Sequence, residues 1–192
     1  MKEKLKLLEK IKNEANNCLA CELGKTKTNL VFSDGSCNAK IFLIGEAPGA
    51  NEDVSGMPFV GRAGKLLNQF LEQAGIDRKT DLYIANILKC RPPQNRTPIP
   101  CEKNACFHFL KQQIEIVNPK VIILCGSCAM SMFLKDKLPI SKVRGQWFDY
   151  DNGIKMMPIF HPSYLLRNHS TEIGKPRNLT LNDLIEIKNQ AK

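Results

Sequence analysis

The chain has 192 residues, 43% of them hydrophobic, enough for one core and too few for several, so a single domain over residues 1–192 is expected. Lysine and arginine total 28 against 19 acidic residues, a formal charge of +9, which suits a polyanionic partner but describes association rather than chemistry. The charged, amphipathic start MKEKLKLLEKIKNEANN lacks the apolar run of a signal peptide, and no later segment reaches membrane-spanning length; the expectation is a cytoplasmic protein without membrane contact.

In chain order, apolar spacing at Leu5, Leu8, Ile11 and Ala15 predicts a helix from Lys2 to Asn16. The continuous run Lys40 to Gly45 has the pattern of a strand covered on both faces. After a Pro- and Gly-rich loop, a helix over residues 63–74 carries the stripe Leu66, Leu67, Phe70, Leu71 and Ala74 and ends at Gly75. Leu82 to Leu88 reads as a second strand, and the loop from Arg91 to Pro100 holds four prolines. A helix from Cys101 to Val117, a strand from Val121 to Leu124 and a short helix from Ser127 to Leu134 follow. Met156 to Phe160 reads as the last strand and Leu179 to Asn189 as the closing helix. Strands alternating with helices imply an α/β fold, a three-layer α/β/α sandwich around a mainly parallel sheet of about four strands.

Ligands of such sheets collect at the carboxyl ends of the strands. Three unusual polar signals fall there: Gly45-Glu46-Ala47-Pro48-Gly49 after the first strand, Asn86 near the end of the second, and His161-Pro162-Ser163 after the last. His108 and His169 have no comparable motif around them. Gly45-x-x-x-Gly49 lacks the spacing of a dinucleotide-binding loop.

The eight cysteines are read as metal ligands or small buried hydrophobes rather than disulfides. Cys18 and Cys21 make a C-x2-C pair; Cys90 and Cys106 bracket the proline loop. Four thiolates from two segments suit either zinc or a 4Fe–4S cluster. Cys125 and Cys128 are expected to pack in the core. Cys37, near a turn, and Cys101, at a helix start, read as bystanders or substitute ligands.

These residues together resemble the type 4 (iron–sulfur) uracil-DNA glycosylases. The matching stretches are Cys18-x2-Cys21-x-Leu-Gly-Lys-Thr, Gly45-Glu-Ala-Pro-Gly-x-x-Glu-Asp53, and Gly56-x-Pro-Phe-Val-Gly-Arg-Ala-Gly64. Asn86-x-x-Lys-Cys-Arg-Pro-Pro-x-Asn-Arg-Thr-Pro98 and His161-Pro-Ser-Tyr-Leu-Leu-Arg167 complete the set, which spans nearly the whole chain in the family's order. The resemblance implies removal of uracil from single- and double-stranded DNA by a monomer with access to the chromosome. It also implies a structural 4Fe–4S cluster on Cys18, Cys21, Cys90 and Cys106. The cysteines at 37, 101, 125 and 128 depart from the family's usual residue types.

The same resemblance implies a uracil pocket made of Glu46, Ala47, Glu52, Phe59, Asn86 and His161. Phe59 stacks on the extruded base, Asn86 reads its edge, and His161 donates a hydrogen bond to O2. Better-known uracil glycosylases place a water-positioning aspartate where Ala47 stands. Of the acids Glu46, Glu52 and Asp53, either Glu46 or Glu52 is therefore expected to orient water or stabilise the sugar, with crowding at C5 an alternative role for Glu52. No lysine matches a nucleophile, so simple hydrolysis without strand cleavage is expected. Tyr164, Leu165, Leu166 and Arg167 read as a wedge and phosphate clamp, or else as a helix start that packs its leucines inward. Lys89, Arg91, Arg96, Lys142 and Arg144 are further phosphate candidates. The competing readings are a related glycosylase with another base preference, a non-catalytic iron–sulfur module that binds DNA or carries electrons, and a zinc-binding nucleic-acid module.

Overall fold

The computed structural model describes residues 2–134 and 138–192. Six strands make one sheet: β1 (Asp34–Gly35), β2 (Ile41–Gly45), β3 (Leu82–Asn86), β4 (Val121–Cys125), β5 (Phe148–Asp149) and β6 (Lys155–Ile159), in the spatial order β1-β3-β2-β4-β6-β5. The four central strands run parallel, with Ile41 opposite both Leu82 and Val121 and Val121 opposite Lys155. β1 and β5 are antiparallel edges. The expected sheet of about four strands is thus extended by two strands of two residues each, too short to leave any periodicity in the sequence.

The helices are α1 (Lys2–Asn16), α2 (Leu23–Thr26), α3 (Ala50–Ser55), α4 (Arg62–Gln73), α5 (Pro100–Val117), α6 (Ser127–Phe133), α7 (Ile140–Val143), α8 (Pro162–Leu165) and α9 (Pro176–Gln190). Every residue of β2, β3 and β4 is buried, and successive side chains point to opposite faces. Phe42, Ile44, Tyr83, Ala85, Ile122 and Leu124 face the layer of α1, α5 and α6. Ile41, Leu43, Leu82, Ile84, Val121 and Ile123 face that of α4, α8 and α9. The three-layer sandwich is therefore the observed architecture.

Three details differ from the sequence reading. Leu5 is 51% exposed although it shares the spacing of Leu8 and Ile11; α1 packs through Leu8, Ile11 and Ala15, and its first turn meets the end of α5 through Lys4 Nζ, which donates to the Val117 carbonyl at 2.8 Å. The strand expected to reach Leu88 ends at Asn86, although Ile87 and Leu88 still donate backbone hydrogen bonds to Gly45 and Glu46. The closing helix starts at Pro176 rather than Leu179, since proline in the first turn supplies helical φ before the apolar spacing begins.

Candidate active site

The loops at the carboxyl ends of β2, β3 and β6 surround a cavity of about 750 Å³ lined by Glu46, Ala47, Glu52, Phe59, Asn86 and His161. Its walls are set by close packing around Gly45. A Cβ built there would lie 2.7 Å from Phe59 Cζ and 2.8 Å from Cε2, and closer still to Asn86 Oδ1. Only a residue without a side chain lets the ring and the carboxamide meet at the end of β2.

Phe59 is held in an unusual conformation. Its φ of 53° lies in the left-handed region, where a bulky residue is strained and persists only if its surroundings enforce it. Gly64, on the first turn of α4, leaves room for the Phe59 carbonyl. The Phe59 ring centroid lies 6.1 Å from that of His161, tilted by 38°. Asn86 is 3% exposed at the end of β3, and its backbone carbonyl accepts a 2.8 Å hydrogen bond from Lys89 Nζ.

His161 caps α8. Its Nδ1 accepts the Ser163 N–H at 3.2 Å, with Ser163 Oγ 2.7 Å away. Burial, aided by the positive charge of Arg167, pushes the imidazole down to about 4, so the ring is neutral at pH 7. A neutral ring whose Nδ1 accepts must carry its proton on Nε2. The local fold thus favours one of the two tautomers that spacing alone left open, and among the described residues none bonds Nε2. Gly126 packs against this ring: a Cβ there would come within 2.9 Å of His161 Cβ.

Residues 32–185 match the model of the uracil DNA glycosylase superfamily. A type-4 uracil-DNA glycosylase from Thermotoga maritima is 48% identical over 97% of this chain and 95% of its own length. Those of Archaeoglobus fulgidus and Sulfurisphaera tokodaii are 42% and 41% identical over 83% and 84% of this chain, covering 83% and 76% of theirs. The chain belongs to the type-4 uracil-DNA glycosylase family.

Within this glycosylase fold the acidic candidates separate. Glu52 Oε1 accepts the N–H groups of Val60 (2.9 Å) and Gly61 (2.8 Å), and Oε2 that of Gly49 (3.1 Å). It clamps the turn after β2 to the start of α4. Asp53 is buried and accepts the Thr28 N–H at 3.0 Å. Glu46 takes no such role: its carboxyl is half-buried in the cavity wall, raised by burial and opposed by a hydrogen bond from the Cys128 thiol and the positive charge of Lys103. Cys128 packs against the core as expected and also lines the cavity, its thiol pushed up to about 11 by burial.

The expected DNA wedge is only partly exposed. Leu165 is 1% exposed and belongs to the core beneath α4 and α9, and Leu166 packs against the same cluster. Packing of the leucines inward therefore prevails, because α8 needs an apolar face toward α4 and α9. Tyr164 (38% exposed) and Arg167 remain at the cavity rim. Two phosphate candidates are also withdrawn. Lys89 is 1% exposed, with Nζ on Asn86 O and, at 2.6 Å, on Gln113 Oε1. Arg144 pairs with buried Asp183, Nε to Oδ2 2.9 Å. Arg91 donates to Asn95 and Arg96 pairs with Glu102, while Lys142 is exposed.

Cys18 and Cys21 after α1, Cys90 after β3 and Cys106 on α5 face one another. Burial and then the neighbouring Cys106, Cys21 and Cys18 push the Cys90 thiol up to about 12. Cys106 feels the same burial and the same two partners, and takes the Lys89 N–H at 3.4 Å. Among the described residues no three such side chains close on one point to hold a single ion; a 4Fe–4S cube asks instead for one thiolate per iron around its corners. Four cysteines gathered from the segment after α1, the proline loop and α5, with Lys89 and Lys27 beside them, are a donor set that fits an anionic cluster. Cys37 and Cys125 are buried in the cores and Cys101 is exposed. Motif reading passed over Gly126 and gave Ser163 and Cys128 no part in the site; Ser163, two places after His161 and able to cap, left a signal.

Proposed function

We propose that this chain hydrolyses the N-glycosidic bond of deoxyuridine in single- and double-stranded DNA, releasing free uracil and leaving an abasic site for base excision repair. A base inside a duplex is out of reach, so the nucleotide is extruded at an unstacking cost of a few kcal/mol. In this reading Phe59 supplies the stacking face. The Asn86 carboxamide, one donor and one acceptor, complements uracil N3–H and O4, whereas cytosine offers the reverse pattern.

His161 Nε2–H donates to uracil O2, where negative charge accumulates as the N1–C1′ bond breaks. A neutral donor takes this role without first giving up a proton. Glu46 remains for the sugar side, orienting water or stabilising the oxocarbenium-like deoxyribose, where a dry wall strengthens its field. Glu52 acts through the loop it holds, and Ala47 through contact with the base. No lysine is assigned as nucleophile, so the phosphodiester backbone is left intact.

Tyr164 and Arg167 belong to the DNA-facing rim, with Arg167 taking a phosphate. Cys18, Cys21, Cys90 and Cys106 would hold a 4Fe–4S cluster that, when bound, ties α1 and the proline loop to the sheet. The chain works as a single-domain monomer inside the cell, where chromosomal DNA is within reach; no described helix is long and apolar enough to cross a membrane.

The observation that carries this reading is a neutral imidazole with Nε2 unbonded among the described residues, on the same cavity wall system as a buried carboxamide and a strained phenylalanine. The test is uracil release from oligonucleotides containing deoxyuridine, deoxycytidine or thymidine only. Release is expected from the first alone, and His161→Ala and Asn86→Ala should each lower it by about 10²–10³-fold with the brown visible absorption of the cluster retained. Wild-type rates in both variants would refute the assignment.

A further inference from the structure

The strained loop carrying Phe59 is held from outside the cavity by one side chain. Arg78 lies in the turn after α4 and is not among the residues that line the cavity. Its Nη2 donates to the Pro58 carbonyl at 2.6 Å and its Nη1 to the Phe59 carbonyl at 3.2 Å. Nη1 also reaches Asn68 Oδ1 on α4 at 2.8 Å, and Nε is anchored on Asp34 Oδ2 at 2.9 Å. Asp34 is itself fixed by β1 pairing opposite Ile84. The guanidinium is well enclosed, its side chain 18% exposed.

We propose that Arg78 is a positioning residue for the uracil-stacking face, holding Phe59 in its left-handed conformation by binding two successive carbonyls. The inference rests on the stacking role assigned to Phe59 above. The physical case has three parts. A phenylalanine at φ 53° occupies a backbone region that is strained unless its surroundings favour it. A planar guanidinium is the side chain that can offer donors in a fixed fork to adjacent oxygens, which an ammonium cannot reproduce. Finally, the ring has little tolerance, since it abuts Gly45 on one side and faces His161 on the other. Rotating the Phe59 peptide would therefore carry the ring out of register with the base.

The experiment is a double-mutant cycle on the intact, cluster-loaded protein with Arg78→Met, Phe59→Ala and the combination. It reads the single-turnover rate of uracil release and, separately, affinity for the same oligonucleotide without uracil. Arg78→Met is expected to slow release by about tenfold or more, since ångström-scale misplacement of a reacting partner costs up to about 10²-fold, while uracil-free DNA is bound as by wild type. The double variant should be no slower than Phe59→Ala, because the ring Arg78 positions is already gone. Losses that multiply, or an equal fall in affinity for uracil-free DNA, would overturn the proposal by assigning Arg78 a general structural role. Should Arg78→Met fail to fold, Asp34→Asn loosens the same fork from its anchor, and the same cycle with Phe59→Ala decides the matter. If Phe59→Ala alone leaves release unchanged, the stacking assignment itself fails, an outcome distinct from additive losses.

Discussion

Gly45→Ala is the sharpest probe of the site. Gly45 has no left-handed φ, so alanine costs nothing in backbone strain, and the whole effect comes from the space its Cβ takes. That atom would lie 2.7–2.8 Å from two carbons of the Phe59 ring and overlap Asn86 Oδ1. Neither neighbour can yield freely: Phe59 is 7% exposed and fixed at its carbonyl, and Asn86 is in a buried strand. Overpacking of this kind costs about 1–3 kcal/mol, a fall of several degrees in Tm for a chain of this size. Displacing ring and carboxamide together by about 1 Å should slow uracil release by roughly 10²-fold. Single-turnover release from a deoxyuridine oligonucleotide, with calorimetry on the same preparation, measures both. Gly75→Ala is the control. Gly75 has φ +69° and nothing within 4 Å of an added Cβ, so it should lose about 1 kcal/mol of stability and no activity. A Gly45→Ala enzyme with wild-type rate and Tm would mean that Phe59 and Asn86 do not meet at this glycine.

Two further outcomes follow from buried groups. The folded state holds His161 at about 4, below its ordinary 6.5, so between those values the unfolded chain binds a proton that the folded chain refuses. Stability should therefore fall as pH drops through that window, by at most about 3 kcal/mol, and be independent of this group above it. His161→Gln should flatten that part of the Tm–pH curve, and parallel curves for variant and wild type would contradict it. Lys89→Met removes the donor to Asn86 O and Gln113 Oε1 and leaves two buried acceptors unmet. A loss of about 1–3 kcal/mol is expected in denaturant titration; an unchanged midpoint would show that other donors replace the ammonium.

Much of the fold was legible because its central strands are uninterrupted apolar runs and its long helices carry clear stripes. α1 was read to the residue, and α4 and α5 to within one. What escaped were two-residue edge strands and four-residue helices, elements held by neighbours rather than by any pattern of their own. Motifs named residues that line one cavity but not what each does there. Glu52 and Glu46 stand six places apart as equal acids in sequence; only the backbone amides converging on Glu52 separate a loop clamp from a carboxylate facing the cavity. Leu165 reads equally as a wedge or as an inward-packed leucine until α8 is seen to lie against α4.

Residue order alone determined the layered α/β architecture and the family to which the motifs point, since hydrophobic periodicity and chemical type are written locally. Three-dimensional packing decided the rest: the tautomer favoured at His161, the left-handed Phe59 under Arg78, and the withdrawal of Lys89 and Arg144 into ion pairs and hydrogen bonds. Each depends on groups distant along the chain whose burial sets their protonation and partners, and burial exists only once the layers have closed.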